Sequence, residues 1–358
     1  MTRALTSVAC AVALSGALTS AVQQPVEEEV TFANGAVTLG GTLAMPAGAG
    51  PFPAVVLITG SGPQNRDEEV FGFKVFKTLS DALVAQGIAV LRYDDRGVGK
   101  STGNLVQSVT DDFAADALAG VALLKTRSSL AGDRIGLLGH SEGAGAAAVA
   151  ATKSKDVAFV VMLAGTGVRG DVVLRQQAAD GARANGATPE RVERIVAAHR
   201  KVTDAAAAGV PAAELGAAVR ELATAQIEAL PPAAQATIPD RDAYLNRAVP
   251  TVVAQMSSPW MKHLLSFDPA TAIAKVTCPV LAIFGAKDTQ VPPSLNRAPV
   301  EAALKSNAHA KVVELPEANH LFQRAKTGLV TEYASLEKAF VDGLTAEIGT
   351  WIKSLPKK

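Results

Sequence analysis

The sequence predicts an α/β protein with a mostly parallel central sheet, covered by helices on both faces and interrupted by a helical insertion. Three observations carry this. Short apolar runs of strand type recur along the chain and alternate with helical stretches. Several runs are apolar without alternation, as expected for strands buried on both faces. A single stretch of roughly a hundred residues then lacks any strong strand and far exceeds an ordinary crossover connection.

In chain order, Glu29–Met45 reads as two short strands turning at Asn34–Gly35. AVVLIT (54–59) and IAVLRY (88–93) are buried strands, separated by helical character at Ser80–Gln86. Each strand runs into a glycine-rich turn, Gly60–Ser61–Gly62–Pro63 and Asp94–Ser101 respectively. An amphipathic helix is expected over Asp111–Thr126, then a strand over Arg134–His140, a small-residue helix, and a strand over Ala158–Ala164. Residues 167–267 form the helical insertion, a cap over the sheet's C-terminal edge, with breaks at Pro211 and Pro231–Pro232. Strands resume at Val280–Phe284 and Lys311–Leu315, and a helix is expected over Tyr333–Ile352. The domain reading is therefore a core of residues 22–166 and 268–358, split by the insertion.

At 358 residues and 48% hydrophobic, the chain can bury a large core. Its 34 basic and 34 acidic residues balance, so no electrostatic footprint for nucleic acid is visible. Met1–Thr2–Arg3 carries one positive charge, Ala4–Ala21 is small and apolar, and Thr19–Ser20–Ala21 resembles a cleavage site. Residues 1–21 are thus expected to be an export signal, placing the protein in the periplasm or outside the cell without stable membrane insertion. Of two cysteines, cleavage removes Cys10 and leaves Cys278, expected to be inert packing.

The stretch RIGLLGHSEGAGAAAVAA (134–151) is the one around which chemistry gathers. Strand, Gly139–His140–Ser141–Glu142–Gly143 and small-residue helix give the context that a G-x-S-x-G nucleophile turn requires. Gly139 and Gly143 remove side chains that would collide across the sharp turn, and Ser141 sits at a helix N-terminus, where negative charge is favoured. A serine hydroxyl needs a base, and the base needs an orienting group. Asp288 and His320 both follow strand ends, in the order Ser, acid, His. The rival histidines are placed worse: His140 lies within the turn, His199 and His263 in the insertion, and His309 at the wrong end of a strand. Asp268 lies off any strand end. Oxyanion donors are expected from the backbone of Glu142 and of the Gly60–Ser61–Gly62 loop, with Ser61 preferred and Gly62 second. No Walker pattern and no metal-spaced His/Cys cluster occurs in the sequence, so neither cofactor nor metal is expected.

GSGPQNRDEE (60–69), YDDRGVGKSTG (93–103), GHSEGA (139–144), GAKDTQVPP (285–293) and NHLFQ (319–323) together resemble the α/β-hydrolase superfamily. More narrowly, the chain resembles the EstD-type bacterial esterases, related to the serine aminopeptidase-like hydrolases. The resemblance implies the α/β-hydrolase fold, a triad at Ser141, Asp288 and His320, and a small-molecule ester as substrate. Thr59 stands where many members have histidine, and Glu142 fills a variable position. Asp94 and Arg96 match a turn that is usually structural. The expected activity is hydrolysis of short- to medium-acyl carboxylic esters through an acyl-enzyme. An aminopeptidase or thioesterase using the same triad is the enzymatic alternative, and a catalytically silent binding module the alternative of another class.

Overall fold

The computed structural model describes residues 25–356. The expected export signal, residues 1–21, lies outside them.

The chain opens with β1 (Val26–Asn34) and β2 (Val37–Met45), then β3 (Phe52–Ile58) and two short strands, β4 (Glu69–Val70) and β5 (Phe73–Lys74). Next come α1 (Val75–Ala85), β6 (Ala89–Tyr93), α2 (Thr110–Lys125), β7 (Leu130–His140), α3 (Glu142–Lys153) and β8 (Val160–Leu163). Helices α4 (Gly170–Ala184), α5 (Pro189–Ala208), α6 (Ala212–Ala229), α7 (Pro232–Gln235), α8 (Arg241–Met256) and α9 (Pro259–Ser266) follow without a strand. The chain then returns through α10 (Pro269–Ile273), β9 (Val280–Gly285), α11 (Pro293–Ala303), β10 (Ala310–Leu315) and α12 (Leu344–Ser354).

One sheet of eight strands runs in the order β1-β2-β6-β3-β7-β8-β9-β10. β1 pairs antiparallel with β2 and β2 with β6, while all other pairings are parallel. The apolar runs lack alternation because both faces are covered. In β3, Ala54, Val56 and Ile58 join one apolar cluster with α2 and α3, whereas Val55 and Leu57 join another with α1 and α12. β9 divides in the same way, with Ala282 and Phe284 on one face and Leu281 and Ile283 on the other. The edge strand β10 keeps Lys311 and Glu314 exposed, which blunts an otherwise open edge.

Several boundaries differ from expectation: α1 begins at Val75 rather than Ser80, and β7 at Leu130 rather than Arg134. The first hairpin begins earlier, at Val26, and Asn34 pairs with Val37, so its two-residue loop is Gly35–Ala36, with Gly35 at φ +59°. The expected helix over Tyr333–Ile352 is shorter. Val330–Ser335 forms a 3-10 turn, and α12 starts at Leu344, after Gly343 at φ +89°. Apolar spacing misleads here because Phe340 and Val341 lie in irregular chain: Phe340 packs on Phe73, and the Val341 amide donates to the Phe322 carbonyl at 2.8 Å.

Between β8 and β9, helices α4 to α9 enclose an apolar cluster of their own that includes Ile195, Val202, Leu215, Val219 and Leu265. Leu105, from the segment before α2, joins this cluster and ties it to the rest of the chain. Pro211 and Pro231 stand immediately before α6 and α7, where a missing N–H costs no helical hydrogen bond.

Candidate active site

The strand ends converge on one edge of the sheet. β7 runs directly into α3 through Ser141, whose backbone takes φ +55° and ψ −119°. A non-glycine residue there carries strain of about 1–3 kcal/mol and needs surrounding structure to hold it. The Ser141 amide donates to the Leu163 carbonyl of β8 at 2.8 Å. The flanking glycines are obligatory for close approach: a Cβ at Gly139 would lie 2.1 Å from the Gly143 carbonyl oxygen, and one at Gly143 would lie 2.3 Å from that of Ile58. Small residues along α3 let the helix sit buried against the sheet from Gly143 to Ala151.

Asp288 lies three residues past β9 and His320 five past β10. His320 Nδ1 and Asp288 Oδ2 are 2.7 Å apart, and both side chains are buried. Asp288 Oδ1 accepts from the Gln290 and Val291 amides at 2.8 and 2.9 Å, so the carboxylate is held on both oxygens. A carboxylate on Nδ1 places the proton there and leaves Nε2 as the basic nitrogen. The His320 loop is braced by Asn319, whose Oδ1 accepts from the Leu321 and Gln323 amides.

Of the five expected site residues, Ser141, Ser61 and Glu142 line one cleft of about 70 Å³, and Asp288 pairs with His320. The elbow and the His320 loop meet through His140: its Nε2 lies 2.9 Å from the His320 carbonyl oxygen, and the two rings are 4.7 Å apart. Among the described residues no hydrogen bond joins Ser141 Oγ to His320. The amides of Ser61 and Glu142 donate to no acceptor among the described residues; that of Glu142 opens α3, where the first N–H groups are free.

The turns flanking the site are held by charge. Asp94 accepts from the Arg66 guanidinium on both oxygens, at 3.1 and 2.7 Å, and Asp116 accepts from Arg96 at 2.6 and 2.9 Å. Asp94 and Arg96 thus fasten turns, as the resemblance implies. Thr59 donates its hydroxyl to Asp95 at 2.6 Å.

Several residues at the site carried no signal in the sequence. Trp260 of α9 donates its indole N–H to Glu142 Oε1 at 3.0 Å, linking the insertion to the nucleophile turn across 118 residues. Burial raises the Glu142 carboxyl above its ordinary value, only partly offset by the Ser61 hydroxyl and the Trp260 indole. Asp95, also lifted by burial, reaches about 7. Both carboxyls border a second, small cavity of about 20 Å³, shared with Tyr93, Phe113 and Trp260. Glu68, buried beneath the Gly60 loop, pairs with His140. Among the described residues no group of three His, Cys, Asp or Glu side chains is arranged to hold a metal ion, and no helix is long and apolar enough to cross a membrane.

This sheet, with a serine at the β7–α3 turn and an Asp–His pair at the ends of later strands, defines an α/β-hydrolase. A family model described as serine aminopeptidase, S33, matches residues 73–323, and the chain belongs to that family. Esterase EstD of Thermotoga maritima is 40% identical over 138 residues, which are 38% of this chain and 32% of EstD, so the chain matches about a third of that relative's length. Among solved structures, an esterase of Pyrococcus furiosus superposes with a TM-score of 0.56 at 17% identity, covering 92% of this chain and 91% of the other. A hypothetical protein of Pseudomonas aeruginosa gives 0.54 at 18% identity, covering 97% and 99%. At such identities these two likenesses are likenesses of fold.

Proposed function

We propose that the protein is a serine carboxylesterase acting on short- to medium-acyl esters. The observation that carries this reading is the buried 2.7 Å contact between His320 and Asp288, at the same sheet edge as the strained Ser141 turn. Ser141 Oγ attacks the ester carbonyl while His320 Nε2 takes its proton, and Asp288 holds the resulting imidazolium in place. The Ser61 and Glu142 amides receive the oxyanion of the tetrahedral intermediate. As the intermediate collapses, His320 returns the proton to the departing alcohol and Ser141 is left acylated. Water, deprotonated by His320, then attacks the acyl-enzyme, and collapse releases the carboxylic acid and restores Ser141. The cleft lining of Val173, Leu174, Leu264, Phe267 and Val291 suits a modest acyl chain and supports a capping role for residues 167–267. Export through residues 1–21 belongs to the same proposal, and the mature N-terminus is expected near Val22.

A second reading, aminopeptidase, is favoured by the half-buried Glu142 and Asp95 carboxyls, which border one small cavity and accept from neutral donors, while Arg96, which also lines it, is paired with Asp116. A free ammonium group there would offset the cost of burying their charge.

The test is turnover of p-nitrophenyl esters of graded chain length, beside an amino-acid p-nitroanilide, by wild type and Ser141→Ala. Ester cleavage that falls with chain length and vanishes in the variant is expected. Anilide cleavage alone establishes the aminopeptidase. Inertness to both, together with resistance of Ser141 to a fluorophosphonate, refutes the hydrolase.

A further inference from the structure

One buried pair touches every part of the proposed machinery. Glu68 is 1% exposed and holds φ +46°, a left-handed backbone that a side chain of its size rarely adopts. Its Oε1 accepts from the Gly60 amide at 2.8 Å and meets His140 Nδ1 at 2.9 Å. The other nitrogen of His140, Nε2, faces the His320 carbonyl oxygen at 2.9 Å. A carbonyl oxygen only accepts, so Nε2 carries a proton. At Nδ1 the ring faces a carboxylate oxygen that already accepts from an amide, so a proton lies there as well. Burial, the largest single effect, would weaken the proton on His140, but the Glu68 charge and hydrogen bond, the His320 carbonyl and the Asp288 charge together raise the imidazole above its ordinary value. The other titratable ring facing His140 is that of His320.

The covalent neighbours make this arrangement specific. Gly60 precedes Ser61, one expected oxyanion donor; His140 precedes Ser141; and the third contact is made by the backbone of His320 itself. We infer that Glu68 and His140 are positioning residues, which together fix the spacing of the Gly60 loop, the Ser141 turn and the His320 loop. The inference deepens the serine-hydrolase reading, and its kinetic test rests on that reading. Stability alone accounts poorly for the pair. Glu68 Oε2 is buried without a hydrogen-bond partner among the described residues, its backbone is strained, and a buried ion pair is seldom better than apolar packing.

Glu68→Ala and Glu68→Gln separate position from charge. In the glutamine variant an amide oxygen in the place of Glu68 Oε1 accepts both from the Gly60 amide and from His140 Nδ1–H, so the links stay while the charge goes. Alanine breaks both links. On the esters above, Glu68→Ala is expected to lower kcat by roughly 10–100-fold with KM changed by less than about threefold, as a displacement of reacting groups by about 1 Å does. Glutamine is expected to recover kcat to within about fivefold, with a pH–rate profile that superimposes on that of wild type. Amide hydrogen exchange is read in parallel over residues 59–63 and 319–323. It should quicken in Glu68→Ala and keep wild-type rates in Glu68→Gln, whether or not the protein turns over any ester. Unchanged exchange in the alanine variant overturns the inference, as does a glutamine variant as slow and as open as alanine. If wild type is inert toward esters and anilides, the hydrolase reading fails alone, and the exchange rates still decide whether Glu68 positions the loops.

Discussion

Replacing Asp95 with asparagine removes a charge that burial makes costly, and the size of the effect depends on pH. Asp95 accepts from Thr59 Oγ1 at 2.6 Å and from the Gln64 amide at 2.8 Å. Burial nevertheless lifts its carboxyl from 3.8 to about 7, with the Glu68 and Glu142 charges pushing the same way. A shift of about 3 units corresponds to roughly 4 kcal/mol between the protonated and charged folded forms. The unfolded chain releases this proton near 3.8 and the folded chain near 7, so between those values the folded state binds more protons. Stability therefore falls as pH rises through this window, by at most about 1.4 kcal/mol per pH unit, and the cost is complete above pH 7. Asparagine can keep both contacts, with Oδ1 toward the Gln64 amide and Nδ2 toward the Thr59 hydroxyl, and carries no charge. The unfolding free energy of Asp95→Asn minus that of wild type should thus grow by up to about 4 kcal/mol from pH 4 to pH 8. His140, whose proton affinity is also raised, titrates in both proteins, while Glu142, coupled to Asp95 by charge, is relieved in the variant and moves the difference in the same direction. Urea unfolding at unit pH steps measures it, and a thermal scan at pH 8 should show a relative Tm gain of roughly 5 °C. A difference independent of pH, or one that shrinks as pH rises, refutes the burial argument.

Two further outcomes follow from the site. Asp288→Asn should leave the fold intact but reduce kcat by roughly 10³–10⁴-fold, because an amide facing His320 Nδ1 no longer fixes the tautomer; stopped-flow acylation with a p-nitrophenyl ester reads this directly. Gly143→Ala forces a Cβ to within 2.3 Å of the Ile58 carbonyl oxygen, a contact with backbone that no rotamer relieves. It should lower the midpoint of urea unfolding by the equivalent of about 3 kcal/mol or more and abolish fluorophosphonate labelling of Ser141.

The inner strands were legible because burial on both faces writes a continuous apolar run, as in AVVLIT and VLAIF. The sharp turn at Ser141 was legible because its glycines have a steric cause, and the pairing of Asp288 with His320 because both stand shortly after strand ends. The start of α12 was not. Phe340 and Val341 fall at spacing compatible with a helix, and only their contacts with Phe73 and the Phe322 carbonyl show that the chain there is irregular. Glu68 was invisible for a different reason. It stands in the run GSGPQNRDEE that carries part of the resemblance, but nothing in that run gives it a role of its own, and its pairing is with a histidine 72 residues away. Trp260 likewise looked like one more apolar residue of the insertion until its indole met Glu142.

The contact between Trp260 and Glu142 gives the molecule an optical handle. The chain has two tryptophans, and they occupy opposite worlds: Trp351 sits edge-on to Phe159 beneath the far face of the sheet, while Trp260 spans the seam between the insertion and the nucleophile turn. A carboxyl that gains or loses a proton against an indole changes that indole's emission, and so does a helix that lifts away from it. With Trp351 replaced by phenylalanine, the remaining fluorophore reports on opening of the seam and on ionisation of Glu142, without a dye and without turnover.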